Sequence, residues 1–186
     1  MKVVILCGGL GTRLSEETKK IPKPMVKIGN KPILVHIMER YARYNHKDFI
    51  LALGYKKEII KQYFKKNQFK DWKIKLIDTG LNSLTGTRLL KLKNLLIDEQ
   101  SFFLTYGDGV ANINLNQLLK FHQKRNKVAS LTAVKPPARF GELFLKNNIV
   151  KKFDEKNQIN TGWINGGFFV FNKDIFKFIP NNCMLE

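Results

Sequence analysis

The sequence predicts an α/β protein, a doubly wound mixed sheet with a small antiparallel β portion. Three observations carry this expectation. Short apolar runs recur along the chain, segments with apolar residues at helical spacing alternate with them, and after Pro136-Pro137 the alternation yields to a hairpin pattern. Lys2–Cys7 (KVVILC) is a continuous apolar run ahead of Gly8-Gly9, as expected of a parallel strand covered on both faces. Pro32–Tyr44 follows as a helix: Ile33, Ile37 and Tyr41, with Leu34 and Met38, share a face, and Pro32 suits a first turn. Asp48–Gly54 is a second strand, and Lys56–Lys66 a helix that groups Ile59, Ile60, Tyr63 and Phe64. Lys73–Ile77 is a third strand, ending in Asp78-Thr79-Gly80, and Thr87–Ile97 a leucine-rich helix. Ser101–Tyr106 is a strand that runs into Gly107-Asp108-Gly109; Leu115–Lys124 is a helix and Val128–Val134 a strand. Glu142–Leu145 and Ile149–Phe153 flank Lys146-Asn147-Asn148 as a hairpin. Trp163–Asn172 is a glycine-interrupted strand, and Asp174–Ile179 begins a helix.

Composition narrows the function classes. A hydrophobic share of 44% in 186 residues supports a core and excludes a disordered chain. The apolar runs fall short of the roughly 20 residues a membrane-spanning helix needs, and five apolar residues after Met1-Lys2 are too few for a signal peptide. Cys7 and Cys183 form no disulfide framework, so a reduced, cytoplasmic setting is expected. The formal charge of +18 invites a nucleic-acid reading. Against it, 27 of the 33 basic residues are Lys and only 6 are Arg, and the lysines are scattered in pairs such as Lys19-Lys20 and Lys151-Lys152. Phosphate- and base-reading surfaces favour the bidentate fork of Arg. The expectation is therefore a lysine-rich surface, with no nucleic-acid or membrane partner.

In doubly wound sheets, ligands bind beyond the carboxyl ends of the strands. Two glycine-bearing loops fall there. The first, Gly8-Gly9-Leu10-Gly11-Thr12-Arg13, brings backbone N–H groups close to any phosphate. It fits neither the dinucleotide fingerprint, because Leu14 stands at the third glycine position, nor the P-loop, because no Gly-Lys-Ser/Thr follows. Arg13 adds a guanidinium that can hold phosphate bidentately. Lys23, in Pro22-Lys23-Pro24-Met25, adds a second cation on a backbone stiffened by proline. The second loop holds Asp108, and one carboxylate opposite a phosphate loop suits Mg²⁺ shared with substrate phosphates. His36, His46 and His122 have no ligand spacing, so zinc is not expected. Cys7 is read as a packed hydrophobe, and Trp72 and Trp163 as core or rim.

The ordered set GGLGTRL, PKPM, GNKPILVHIM and GDG resembles the sugar-1-phosphate nucleotidyltransferases. LSEET, PKPMVKIG, DTG with TGTRL, TYGDGV and INGGFFVF are similar to the glucose-1-phosphate cytidylyltransferases among them. The resemblance implies a Rossmann-like sheet of the nucleotide-diphospho-sugar transferase type. It implies CTP and glucose 1-phosphate as substrates, with UTP or dTTP as the alternative nucleotide and a catalytically deficient nucleotide-binding fragment as the alternative role, Mg²⁺ as cofactor and a homo-oligomer. By this resemblance Gly8, Gly9, Leu10, Gly11, Thr12 and Arg13 form the nucleotide loop. Lys23 holds the triphosphate and the attacking phosphate, and Ser83, Gly86 and Arg88 recognise the base. Gly107 contacts the ribose and Asp108 the metal. Arg13, Lys23 and Asp108 are the catalytic set. Gly141, Glu155, Lys156, Asn165 and Gly166 bind the sugar. Two departures stand out: Asn157 replaces the family's proline after Glu155-Lys156, and the stretch between Phe64 and Trp72 is short. The resemblance further implies one domain, residues 1–135 holding the nucleotide and 136–186 beginning the sugar-binding half. It also implies a truncated C-terminus that lacks the family's second metal-binding Asp.

Overall fold

The computed structural model describes residues 1–11, 20–136, 142–154 and 162–186. A six-stranded sheet runs β5-β4-β1-β6-β10-β7. Its strands are β1 (Lys2–Cys7), β4 (Asp48–Leu53), β5 (Lys73–Asp78), β6 (Ser101–Tyr106), β7 (Ala129–Val134) and β10 (Ile164–Asn172). β1 pairs in parallel with β4 and β6, and β4 with β5, while β10 runs antiparallel to β6. The mixed, doubly wound sheet expected from the sequence is the one observed.

Side chains alternate across the central strands, so each contributes to two cores. Val3, Ile5, Phe49, Leu51 and Phe103 bury one face under α1 (Ile33–Ala42), α2 (Lys57–Lys66) and α5 (Leu115–Arg125). Val4, Leu6, Ile50, Phe102 and Leu104 bury the other face under α3 (Thr85–Leu90) and α4 (Lys93–Leu96). Continuous apolar runs are what a sheet covered on both sides requires. The Asn114 side chain caps α5 by accepting from the Gln117 amide at 3.0 Å.

Three features depart from the sequence expectation. The single helix over Thr87–Ile97 is two: α3 begins at Thr85, and the chain breaks at Lys91–Leu92. There the amides of Leu92 and Leu95 reach the carbonyls of Leu89 and Leu92, three residues back, so the turn tightens. Asp174–Ile179 is not an α-helix but a 3₁₀ segment, Lys173–Lys177, with the Asn172 side chain accepting from the Asp174 amide. Between Lys23 and Pro32 lie a 3₁₀ turn (Lys23–Met25) and a two-residue hairpin of β2 (Lys27–Ile28) and β3 (Lys31–Pro32), none of which the apolar periodicity signals.

The chain divides into two compact units, Met1–Ser130 with Gly167–Glu186, and Leu131–Gly166. The first holds both cores. The second holds the antiparallel pair β8 (Glu142–Lys146) and β9 (Ile149–Asp154), where Leu143 faces Phe153 and Leu145 faces Val150. Lys135 lies 5.5 Å over the Trp163 ring in the same unit, and Trp163 is exposed.

Candidate active site

Parallel pairing sets the carboxyl ends of β1 and β6 side by side, with Leu6 in register with Tyr106. The loops that follow these strands, at Gly8 and at Gly107, therefore lie together. They open a cavity of about 250 Å³ lined by Gly8, Gly9, Gly11, Lys23, Ser83, Arg88, Gly107 and Asp108. Eight residues singled out from sequence thus meet in one pocket. Leu10 lies exposed on the first loop, and Gly86 stands just inside α3 without lining the cavity. Asn165 and Gly166 belong to the second compact unit, at the start of β10. Thr12, Arg13, Gly141, Glu155 and Lys156 lie outside the described residues.

Lys23 is aimed by its neighbours. The Met25 amide donates to the Pro22 carbonyl at 2.8 Å, and Pro24 and Met25 are buried, so the turn is anchored on both sides of the lysine. Its Nζ donates to Asp108 Oδ2 at 2.5 Å, closing an ion pair across the pocket. Both side chains remain partly exposed, and such pairs contribute only about 0–1 kcal/mol. An incoming phosphate can therefore draw Lys23 away at small cost.

Asp108 is held at the rim by Gly107. The Gly107 amide donates to the Leu6 carbonyl at 3.0 Å, and a Cβ there would stand 2.9 Å from both that oxygen and Pro24 Cγ. Only glycine permits this approach. Beneath it lies Cys7, whose thiol is pushed up in pKa first by burial and then by the charge of Asp108. It stays protonated and inert, as its mid-strand position suggests. One carboxylate in a pocket that also holds Lys23 and the glycine loop fits Mg²⁺, which takes one or two carboxylates with substrate phosphates. Among the described residues no cluster of three ligating side chains exists.

Arg88 sits differently from a freely reaching base reader. It is only 3% exposed. Its Nη1 donates to the carbonyls of Leu53 and Gly80 and to Thr79 Oγ1, and its Nη2 donates to the carbonyls of Gly8 and Leu81. Burial lowers its pKa, yet an arginine remains charged. The guanidinium thereby ties the first glycine loop to the end of β4 and to the Thr79–Leu81 turn. Ser83 is also engaged: its hydroxyl donates to the Thr79 carbonyl at 2.5 Å and accepts from Lys91 Nζ at 3.0 Å.

The pocket also includes Leu6, Pro24, Leu84, Thr85, Tyr106 and Met184, which the sequence reading did not select. Pro24, Leu84, Thr85 and Tyr106 adjoin residues it did select. Met184 arrives from the far end of the chain, and no local pattern signals it. Among the described residues no helix is long and apolar enough to cross a membrane.

Comparison with known proteins places this geometry. The chain is 43% identical to a glucose-1-phosphate cytidylyltransferase of Salmonella typhimurium, over 98% of the chain and 79% of that protein. It is 37% identical to a D-glycero-alpha-D-manno-heptose 1-phosphate guanylyltransferase of Campylobacter jejuni, over 95% of the chain and 78% of that protein. In three dimensions it resembles HddC from Yersinia pseudotuberculosis, solved in complex with GMP-PN, with a TM-score of 0.74 and 28% identity over 97% of this chain and 80% of that one. A UDP-glucose pyrophosphorylase solved with UDP-glucose shares the fold, at a TM-score of 0.69 and 20% identity over 95% of this chain and 77% of that one. The Nucleotidyl transferase family profile matches residues 2–184, and this chain belongs to that family of enzymes.

Proposed function

We propose that this chain transfers CMP from CTP to glucose 1-phosphate, releasing pyrophosphate and forming CDP-glucose. One observation carries the reading: the glycine loop, Lys23 and Asp108 converge on a single pocket at the carboxyl ends of β1 and β6. The 43% identity to a relative named for this reaction supports the choice of nucleotide and sugar. In the reaction, a phosphate oxygen of glucose 1-phosphate attacks the α-phosphorus of CTP in line. The new O–P bond forms as the bond from the α-phosphorus to the bridging oxygen breaks, and pyrophosphate leaves with that electron pair. The nucleophile is already an anion, so no general base is needed. Catalysis then rests on positioning and on neutralising charge. Lys23, released from Asp108, takes the phosphates, while the Gly8–Gly11 backbone holds the triphosphate. Arg13, just past that loop, would add its guanidinium to the leaving pyrophosphate. Asp108 would hold Mg²⁺, which supplies Lewis-acid neutralisation of phosphate charge when bound.

A guanine nucleotide is the second reading, favoured by the Campylobacter relative and by the GMP-PN complex of HddC. Pyrophosphate release measured with CTP, UTP, GTP and dTTP, each with glucose 1-phosphate and Mg²⁺, separates them. CTP at a rate at least tenfold above the others, with CDP-glucose as product, is the expected result. A preference for GTP overturns the base assignment.

A further inference from the structure

The segment Cys183–Glu186 is joined to the pocket by contacts that no assigned role explains. The helix α3 has no side-chain cap at Leu84, so its first amides need partners from elsewhere. The Cys183 carbonyl supplies them, accepting from the amides of Gly86 at 3.1 Å and Thr87 at 3.3 Å. In return the Cys183 amide donates to Thr87 Oγ1 at 3.2 Å, and the Leu185 amide donates to Thr85 Oγ1 at 2.8 Å. Gly86 is what allows this approach, because a Cβ there would stand 3.0 Å from the Cys183 carbonyl oxygen and closer still to its sulfur. Leu185 packs against the apolar cluster beneath α3, which anchors the segment.

Glu186, which does not itself line the cavity, bridges two residues that do. Its Oε2 accepts from Thr85 Oγ1 at 2.9 Å, and its Oε1 accepts from the Tyr106 hydroxyl. Thr85 and Tyr106 both line the cavity. Thr85 opens the helix that follows Ser83, and Tyr106 directly precedes Gly107-Asp108. Resting on the nucleotide-binding reading above, we infer that Glu186 is a positioning residue for the nucleotide: its carboxylate spans Thr85 and Tyr106 and fixes the distance between the base side and the metal side of the pocket. Burial raises the Glu186 pKa, but the hydrogen bonds from Tyr106 and Thr85, with backbone donors, outweigh it, so the carboxylate form that accepts both bonds is favoured. The Glu186 side chain is exposed and belongs to neither core, so its removal leaves both intact.

The test is a double-mutant cycle on nucleotide affinity. Equilibrium binding of CTP with Mg²⁺ is measured for wild type, Glu186→Ala, Tyr106→Phe and the double variant, alongside steady-state kinetics and melting. Glu186→Ala is expected to weaken CTP binding about tenfold, as loss of a hydrogen-bonded carboxylate bridge implies. KM should rise by a similar factor while kcat falls less than threefold. The double variant should be no weaker than the worse single one, because both remove the same bridge, and Glu186→Gln should recover part of the loss. A purely structural segment would lower the melting temperature without this nucleotide-specific coupling. Unchanged affinity in Glu186→Ala, or additive losses in the double variant, overturns the inference while wild-type binding upholds the nucleotide reading. Absence of CTP binding in the wild type, with binding of another nucleoside triphosphate, overturns only the base assignment, and the cycle is then read on that nucleotide. If no nucleoside triphosphate binds the wild type, the nucleotide reading and the positioning role fall together.

Discussion

Lys23 and Asp108 come from loops 85 positions apart and meet at 2.5 Å. Each was legible in the sequence from its own surroundings, the lysine from flanking prolines and the aspartate from flanking glycines. Their pairing was not legible, because it depends on β1 and β6 lying side by side. The same holds for Gly107, which sequence reading assigns to the ribose and the structure shows pressed against Leu6 and Pro24. Gly107→Ala should therefore cost about 1–3 kcal/mol by forcing backbone or Pro24 to shift, read as a lowered urea midpoint. An unchanged midpoint would mean the loop has slack. Cys7 gives the opposite expectation. Its buried, protonated thiol takes no part in transfer, so Cys7→Ala should keep kcat within about twofold. A drop of orders of magnitude would show that the thiol touches the reaction. Arg13 was the easiest cation to select, and it falls outside the described residues, so its role rests on the resemblance.

The strands were the most legible elements, since a sheet buried on both faces writes itself as apolar runs such as KVVILC and SFFLTY. The helices on the α3 side were less so. Leucines at Leu89, Leu92 and Leu96 all face one core, so periodicity alone joins α3 and α4 into one helix. What separates them is the tightened turn at Leu92, and what starts α3 early is the capping carbonyl of Cys183, both tertiary effects. Arg88 makes α3 the hub of the site. It holds Gly8, Leu53 and the Thr79–Leu81 turn in fixed relation; its loss removes the donor it gives to the Gly80 and Leu81 carbonyls, while those of Gly8 and Leu53 keep the Tyr55 and Thr79 amides. Arg88→Met should destabilise the fold by about 3 kcal/mol and raise the nucleotide KM. A variant with wild-type stability but weakened nucleotide binding would instead assign Arg88 to the base alone.

Across the whole molecule, the +18 charge is carried mainly by lysines spread over the surface rather than gathered into a tail. Among the described residues His122 is buried and His46 partly buried. Burial lowers the pKa of His46, with the N-terminal charge assisting, and burial lowers that of His122, which bonds Ser130 at 2.9 Å. In each the folded state prefers the neutral ring. Their contribution to stability is present above the unfolded value of 6.5 and is lost as pH falls below it through the lowered folded values. The melting temperature should thus fall between pH 7.5 and pH 5.5, and less so in His122→Asn. A flat profile in the wild type would contradict the burial argument. Neither the division into two compact units nor the tail that reaches the pocket could be read from composition, because both are set by contacts between distant parts of the chain. The account as a whole stands on Lys23 and its pocket performing nucleotidyl transfer. Its most direct test is pyrophosphate release by Lys23→Ala against wild type, with CTP, glucose 1-phosphate and Mg²⁺ at saturation. The predicted result is a fall in kcat of at least about 100-fold with the melting temperature held within a few degrees. Near-normal turnover in a folded Lys23→Ala protein would contradict it.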